Sequence, residues 1–487
     1  MTSDLKPYPR MKDSGVPWLG QVPEHWKVVR LGSLLRERGE TNADGEIQEV
    51  LSVLKNRGVI PYAEKGNIGN KRSEDITRYK IVRPDDIVVN CMNVIIGSVG
   101  LSQYTGCLSP VYYVLTKRSE NNIPQYLNAC FQTKVFQRSL VCIGKGILAH
   151  RMRIPMDSLK CELLPRPPTH EQALIVRFLD HVDRRVRRYA RAKRKLIKLL
   201  EEQKQAIIHR AVIRGLHPNV RFKPSGIEWL GDIPEHWKVP LLGRLISDIE
   251  QGWSPVAAEG ELQDSQWAVL TLSSVRRGVF DASAIKPIAL HAEVPVEIEV
   301  HNGDLLLTRS NTRERVGDVC IVEHVREKTI LCDLIYRLSI RLNELDSAFL
   351  MYQLLSPVGR LQIERDARGS SGTMPKISQR HIRSWRVPLP PLEEQRDIIA
   401  GIRKERGSLD TAIDCARRQV ALVREYRTRL IADVVTGKLD VREAVAKLPE
   451  ESEELEPPKE ADDVMEDGEA LMDDLEAASM EAANADG

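Results

Sequence analysis

The residues of this chain best suited to chemistry are its histidines, cysteines, carboxylates and loop cations, and their spacing decides among reactions. His170-Glu171 opens like a zinc-protease helix, but Leu174 stands where the second ligand histidine belongs. Pro84-Asp85 begins like a nuclease motif, with no acidic-x-Lys in the next few tens of residues. Neither phosphate-cradling G-x-x-x-x-G-K-[ST] nor dinucleotide-binding G-x-G-x-x-G occurs. The Asn/Asp-Pro-Pro-aromatic tetrapeptide with which amino-methyltransferases hold a flipped base is also missing. The eight cysteines form no C-x-x-C pair, which fits unlinked thiols in a reducing compartment. The eleven histidines are dispersed, and His25 and His236 share one tryptophan-rich setting that favours packing over catalysis. What remains is basic and polar residues in turn-like loops: Lys145, His150, Arg151 and Arg153 in the first half, and Arg309, Asn311, Arg313, Arg315 and Lys376 in the second. Such groups bind phosphate and the edges of bases. The chain reads as a binder rather than a catalyst.

Charge distribution points the same way. The net +2 conceals a tail from Glu450 onward with sixteen acidic residues against Lys459 alone, so residues 1–449 carry +17. A basic body of that size suits a polyanionic partner. The acidic tail, poor in aromatics and without periodicity, reads as solvated and disordered, with a regulatory or DNA-mimicking arm the weaker reading. No apolar run reaches the length of a membrane span and the polar N-terminus is no secretory signal, so the expected location is cytoplasmic.

The loops must be placed by a scaffold, and the scaffold occurs twice. Ser14-Gly15-Val16-Pro17-Trp18-Leu19-Gly20-Gln21-Val22-Pro23-Glu24-His25-Trp26-Lys27-Val28 returns as Ser225-Gly226-Ile227-Glu228-Trp229-Leu230-Gly231-Asp232-Ile233-Pro234-Glu235-His236-Trp237-Lys238-Val239, an offset of 211 residues. Four of the seven tryptophans lie in these copies. Beyond them come short apolar runs bounded by turn formers, as buried strands would be: Val50 to Leu54, Asp86 to Asn90 and Val111 to Leu115, then Trp267 to Leu272 and Gly303 to Arg309. Tyr126 to Phe136 reads as a short helix. Asp86-Ile87-Val88-Val89 matches Asp304-Leu305-Leu306-Leu307, and each continues through a polar link to Gly97-Ser98-Val99 or Gly317-Asp318-Val319. The links differ: Cys91-Met92-Asn93-Val94 in one copy, Arg309-Ser310-Asn311-Thr312-Arg313-Glu314-Arg315 in the other.

Each copy ends in a proline break, Pro165-Arg166-Pro167-Pro168 or Val387-Pro388-Leu389-Pro390-Pro391, and a long helical pattern follows. The first seam is Ile175, Leu179, Val182, Val186, Tyr189, Leu196, Leu200 and Ile207, with Lys193 and Gln203 as polar members. The second is Ile399, Ile402, Leu409, Ile413, Ala416, Val420, Val423, Leu430 and Val434, interrupted by Arg406 and Arg427. Alternating spacing of 4 and 3 predicts coiled-coil packing of one helix on the other. Gly215 and Gly437 are placed to end the helices. The expected fold is α+β, a pseudo-two-fold internal repeat. Two similar mixed α/β domains (1–168 and 218–390) are separated by two long antiparallel coiled-coil helices (169–217 and 391–441), before the tail (442–487). The helix pair would space the two domains like a ruler, and duplex DNA has matching symmetry.

Over residues 12 to about 441 the chain resembles the specificity (S) subunit of type I restriction-modification enzymes. The resemblance is carried by the doubled Trp-Leu-Gly-x-(Val/Ile)-Pro-Glu-His-Trp, by Leu389-Pro390-Pro391-Leu392-Glu393-Glu394-Gln395, and by Val435-Thr436-Gly437-Lys438-Leu439. The first copy departs from it, with Thr169-His170-Glu171-Gln172 and Ile213-Arg214-Gly215. The resemblance implies two target recognition domains, each reading half of a bipartite asymmetric DNA target. It implies helices that dock two methyltransferase (M) subunits, with Glu171, Gln172, Glu394 and Gln395 as candidate docking residues. Restriction/translocase (R) subunits would join through the M subunits. No cofactor is expected on this chain: S-adenosylmethionine would sit on the M subunits, ATP and magnesium on the R subunits. Two other readings are a self-contained methyltransferase or nuclease, disfavoured by the absent tetrapeptide, and a protein scaffold without a DNA role, disfavoured by the basic body.

Overall fold

The apolar runs after Asp86 and Asp304 are strands, and each lies inside a four-stranded antiparallel sheet in the computed structural model of the chain. The structure describes residues 5–55, 57–65, 72–145, 152–255, 262–263, 265–289, 292–367 and 374–449. The chain forms two compact units, Met1–Arg191 with Gln419–Gly487, and Ala192–Arg418. Both boundaries fall inside the long helices, so each unit owns one domain, the start of the helix that follows it and the end of the other helix.

In unit 1 the sheet consists of β1 (Leu35–Glu37), β2 (Ile87–Asn90), β3 (Val99–Leu101) and β4 (Tyr112–Lys117), in the order β1-β4-β2-β3. Val89 faces Tyr113 and Ile87 faces Leu115 across the ladder. Period-two alternation sends Ile87 and Val89 into the main core with Trp26, Phe131 and Leu164, and Val88 into a smaller core beside Leu51 and Val53. Burial on both faces explains why the run is apolar throughout. The helix read over Tyr126 to Phe136 is two, Pro124–Phe131 and Lys134–Ser139, separated where Thr133 caps the second. Then comes α1 (Thr169–Arg214), 46 residues long.

Unit 2 repeats the plan with β5 (Ile246–Gln251), β6 (Leu305–Thr308), β7 (Val319–Ile321) and β8 (Ile335–Ile340), in the order β5-β8-β6-β7. Leu307 faces Tyr336, the counterpart of Val89 facing Tyr113. Leu305 and Leu307 enter the main core with Trp237 and Phe349, whereas Leu306 enters a second core with Val269 and Ile330. α2 (Leu392–Val435) spans 44 residues and α3 (Arg442–Ala446) follows it. Among the described residues no helix is long and apolar enough to cross a membrane.

Within each unit the two helix segments run antiparallel. In unit 1 Arg427 donates to both Asp183 oxygens, at 2.5 and 2.8 Å, and the Tyr189 hydroxyl reaches Gln419 at 3.1 Å. In unit 2 Lys204 Nζ meets Asp410 at 2.5 Å. The seam of α1 departs from the expected one. Ile175 and Leu179 are buried, but Tyr189 and Leu196 are 37% and 40% exposed, and Ala190, Ile208 and Ala211 are buried instead. Lys204, not Gln203, is the polar member of this contact face. A straight helix drifts by roughly 20° per heptad from a strict seven-residue repeat, so a seam extrapolated from its first turns rotates away from its partner. On α2 the expected Ile399, Ile402, Ile413, Ala416, Val420, Leu430 and Val434 are all buried.

Candidate nucleic-acid interface

The doubled tryptophan motif ends in a lock onto the first turn of a helix. Trp26 is fully buried, and its Nε1 donates to Glu171 Oε2 at 2.8 Å. His25 Nε2 meets Glu171 Oε1 at 2.7 Å, and the Tyr8 hydroxyl donates to Oε2 at 3.2 Å. Burial, then the Glu171 charge, pushes the Tyr8 phenol well above its ordinary range. In unit 2 Trp237 Nε1 donates to Glu394 Oε1 at 3.2 Å and His236 Nε2 meets Oε2 at 2.7 Å. The next residue repeats its bonds too. Gln172 accepts from Ile123 N and donates to the carbonyls of Asn121 and Pro167; Gln395 accepts from Asp346 N and donates to those of Glu344 and Pro390. A carboxylate here also benefits from the positive end of the helix dipole.

The helix ends complete the lock. Gly437 has φ +78°, and a Cβ on it would clash with Pro23 and stand 2.8 Å from Trp26 Cζ3. Gly215, at φ +71°, is less crowded: a Cβ there would stand 3.2 Å from Glu394 Oε1 and 3.4 Å from Trp237 Cζ2. Both residues are glycine because the backbone is left-handed, and at Gly437 the indole and proline also leave no room. The four residues proposed for partner docking are thus engaged inside their own units: Glu171, Gln172 and Gln395 are buried, and Glu394 is nearly so. Their polar atoms hold each domain to its helix.

The lock and sheet aim one loop pair in each unit. In unit 1 Cys91 follows β2, and its carbonyl accepts from Ile154 N at 2.9 Å. Lys145 and Arg153 exchange backbone hydrogen bonds at 2.9 and 3.0 Å, closing a loop whose two closing residues are exposed. His150 and Arg151 lie outside the described residues. Burial pushes the Cys91 thiol up while the nearby Arg153 and Lys80 pull it back. Lys80 Nζ sits 5.4 Å from the Tyr113 ring centre and donates to Glu37 at 3.0 Å.

In unit 2 the loop after β6 starts at Arg309, whose carbonyl accepts from Ile377 N at 2.9 Å, as Cys91 accepts from Ile154. Ser310 bridges to Lys376, bringing together two segments that the sequence singled out separately. The half-buried Arg309 guanidinium is 5.8 Å from the Tyr336 ring centre and 3.4 Å from the Asp333 carbonyl. Arg313, Arg315 and Lys376 are exposed, while the Asn311 carboxamide oxygen accepts from Thr312 N at 2.8 Å. The chemistry of this loop is that of a polyanion site: a cation stacked on an aromatic ring, and further arginines presented to solvent.

No family model matches the chain. It is 23% identical over 437 residues to the type I restriction enzyme MjaVIII specificity subunit of Methanocaldococcus jannaschii, covering 87% of this chain and 95% of that one. It is 21% identical over 439 residues to the EcoKI specificity subunit of Escherichia coli K12, covering 86% and 90%. A chain from a solved structure described as the structural basis of complex assembly and conformational transition of the type I R-M system matches with a TM-score of 0.59. That match has 17% identity and covers 85% of this chain and 98% of the other, a likeness of fold. The chain is similar over most of its length to type I specificity subunits.

The loop of unit 2 also involves residues that the sequence did not single out. Arg277, in a left-handed turn at φ 35°, donates to the Glu314 carbonyl at 3.4 Å. Arg360 donates to the Val316 and Glu314 carbonyls at 2.8 and 3.3 Å and stands 3.7 Å from Asp318. They brace the arginine loop from beneath. Burial pushes the Asp318 carboxyl up, against the pull of Arg360, Arg277 and Arg315. The one signal in the sequence was Arg276-Arg277-Gly278, a basic turn.

Proposed function

We propose that this chain supplies DNA sequence specificity to a type I restriction-modification complex and is itself non-catalytic. Each unit reads one half of a bipartite, asymmetric target, and the long helices dock the methyltransferase subunits. The observation that carries this reading is a contrast: strand order, lock and loop anchoring repeat between units, while the anchored loop is Cys-Met-Asn-Val in one and arginine-rich in the other. A scaffold duplicated for a single ligand would keep both loops alike. Two different loops on one scaffold fit two different half-sites. Arginine recognises guanine through O6 and N7, and asparagine recognises adenine through N6 and N7. On this reading Arg309, Asn311, Arg313, Arg315 and Lys376 serve one half-site, and Lys145, His150, Arg151 and Arg153 the other.

The methyl donor, S-adenosylmethionine, would be held by the docked methyltransferase subunits, and ATP with magnesium by restriction subunits that join through them. A methyltransferase acting on an adenine must extrude it from the stack, and the specificity chain fixes where that happens. Each unit has an exposed leucine on its helix segments that suits such docking, Leu422 in unit 1 at 62% exposure and Leu199 in unit 2 at 52%. Sequencing the DNA methylome of a host with and without the gene tests the reading, with the methyltransferase partner expressed. Loss of one bipartite adenine motif is the expected result; an unchanged methylome would overturn it.

A further inference from the structure

The last described residues deliver an acidic chain end to a strongly basic surface of their own unit. After α3, Val441 and Val445 are buried and Leu448 packs against the main core, so the backbone is pinned up to Pro449. The Pro449 carbonyl accepts from Arg177 Nη2 at 3.2 Å, which roots the tail on α1 itself. From that point α1 presents Arg184, Arg185, Arg187, Arg188 and Arg191, all but Arg191 exposed, against only Asp180 and Asp183. Asp183 is already engaged by Arg427 and lies 3.9 Å from Arg187. This is a surplus of positive charge within one arginine-rich turn after another, starting beside the root.

We propose that residues 450–487 fold back along this arginine-rich face of α1 in unit 1 and act there as a built-in competitor of DNA backbone. Lengths agree with the charges. Arg177 to Arg191 spans about 21 Å of helix at 1.5 Å per residue. Glu450 to Glu456 holds five carboxylates and, extended, covers about 23 Å. Arginine–carboxylate pairs along such a run are charge-assisted and strengthen one another's local field, yet being solvent-exposed they are screened by salt. The remaining eleven carboxylates, beyond Pro457-Pro458, add negative charge near the same face. The tail thereby raises the threshold for non-specific backbone binding and leaves base-reading loops unaffected. The competition rests on the DNA reading proposed above; the docking does not.

Two measurements on the full chain separate these. The first is digestion of the tail by a glutamate-specific protease. At low salt the tail is expected to be cut about tenfold more slowly than the isolated 450–487 peptide, and the protection should vanish near 0.5 M salt. It should also vanish in Arg184→Glu/Arg185→Glu/Arg188→Glu, whose helical circular dichroism serves as the control for folding. Equal cutting of chain and peptide, or protection that survives in the triple variant, would overturn the docking. The second uses a chain with a specific protease site inserted after Pro449, cut after folding and probed with a short duplex of random sequence. Release of the tail should tighten binding about tenfold at moderate salt, and more weakly in the triple variant. Unchanged affinity with a protected tail would overturn the competition. Absence of DNA binding by both forms, with the methyltransferase subunits present, would instead sink the DNA reading and leave the docking standing.

Discussion

Cys91 and Arg309 leave the ends of equivalent strands, and each gives its carbonyl to an isoleucine N–H at the same point of its unit. Past that shared hydrogen bond, the loops have nothing in common. The Trp–Glu–Gln lock behaves in the opposite way: from Trp26 to Trp237 and from Gln172 to Gln395, its bonds are reproduced almost atom for atom. The difference teaches what each region is for. Residues whose work is internal have one solution and are found twice. Residues that face a partner repeat only if the partner does.

Between these extremes lie positions where the task repeats and the chemistry does not. Asp86 and Asp304 both precede the central strand and accept a backbone N–H three residues upstream, from Arg83 and His301. The cation that neutralises them differs. Arg38 forms a two-bond fork to Asp86 at 2.9 Å, whereas Arg337 serves Asp304 at 3.1 Å and Glu250 as well. Tyr126 and Gln353 likewise do one job: the Tyr126 hydroxyl lies within hydrogen-bond reach of the Pro165 and Val435 carbonyls, and the Gln353 amide donates to those of Pro388 and Val212, in each case a proline before one helix and the end of the other.

The comparison is broken most severely at the lock. Trp26→Ala is expected to cost about 3–5 kcal/mol, through the cavity it opens and the Glu171 carboxylate it strands. Trp237→Ala should cost less. Glu394 is more exposed than Glu171, at 15% against 3% side-chain exposure, and water can satisfy what the indole abandons. Glu171→Ala against Glu394→Ala should fall in the same order. Denaturant unfolding of the four variants checks this; equal losses in the two units would show that burial of the carboxylate does not set the difference.

The loops should respond in the opposite sense, in binding rather than stability. Arg313→Ala and Arg315→Ala change exposed side chains and should leave unfolding within about 0.5 kcal/mol of the parent. On the DNA reading, an arginine paired to a base is worth about 1–3 kcal/mol and its loss relaxes one position of one half-site, whereas a phosphate contact lowers the salt slope by about 1. Arg309→Ala should do both harms, because that side chain also packs on Tyr336. Affinity of the assembled complex for its methylated motif, measured across salt concentrations, sorts the three. Relaxation in the half-site read by unit 1 would break the assignment of loops to halves.

Much of this architecture was legible in the sequence because duplication marks what is structural. The strands at Ile87 and Leu305, the proline breaks and the glycines ending the helices all follow from repeated pattern. What could not be read was the direction in which a side chain spends its polar atoms. That Glu171 and Gln172 spend their polar atoms inside unit 1 depends on residues 8–26 and 121–123 closing over them, far away in sequence. Arg277 and Arg360 escaped notice because the cluster around Asp318 is assembled from three distant segments. Tyr189 and Leu196 were assigned to the seam by a strict repeat that the burial along the helix does not keep.

The smallest effect comes from Asp318, which has no acidic counterpart in unit 1, where Ser98 stands between Gly97 and Val99. Burial holds its carboxyl above the ordinary aspartate value, with Arg360 opposing. The folded protein therefore binds this proton more tightly than the unfolded chain does. Its contribution is fully present below the unfolded pKa and is lost as pH rises through the raised, folded value. Stability of unit 2 should carry a shallow negative slope in that mildly acidic window, on top of whatever the rest of the chain contributes. Asp318→Asn removes the proton and should remove that part of the slope, while Ser98→Ala in unit 1 should leave the pH profile unchanged. Unfolding midpoints at closely spaced pH values compare the two variants with the parent. If Asp318→Asn leaves the slope intact, the arginines around the loop, and not burial, govern the charge state of that carboxyl. The loop of unit 2 would then be held by a salt bridge that unit 1 has no means to imitate.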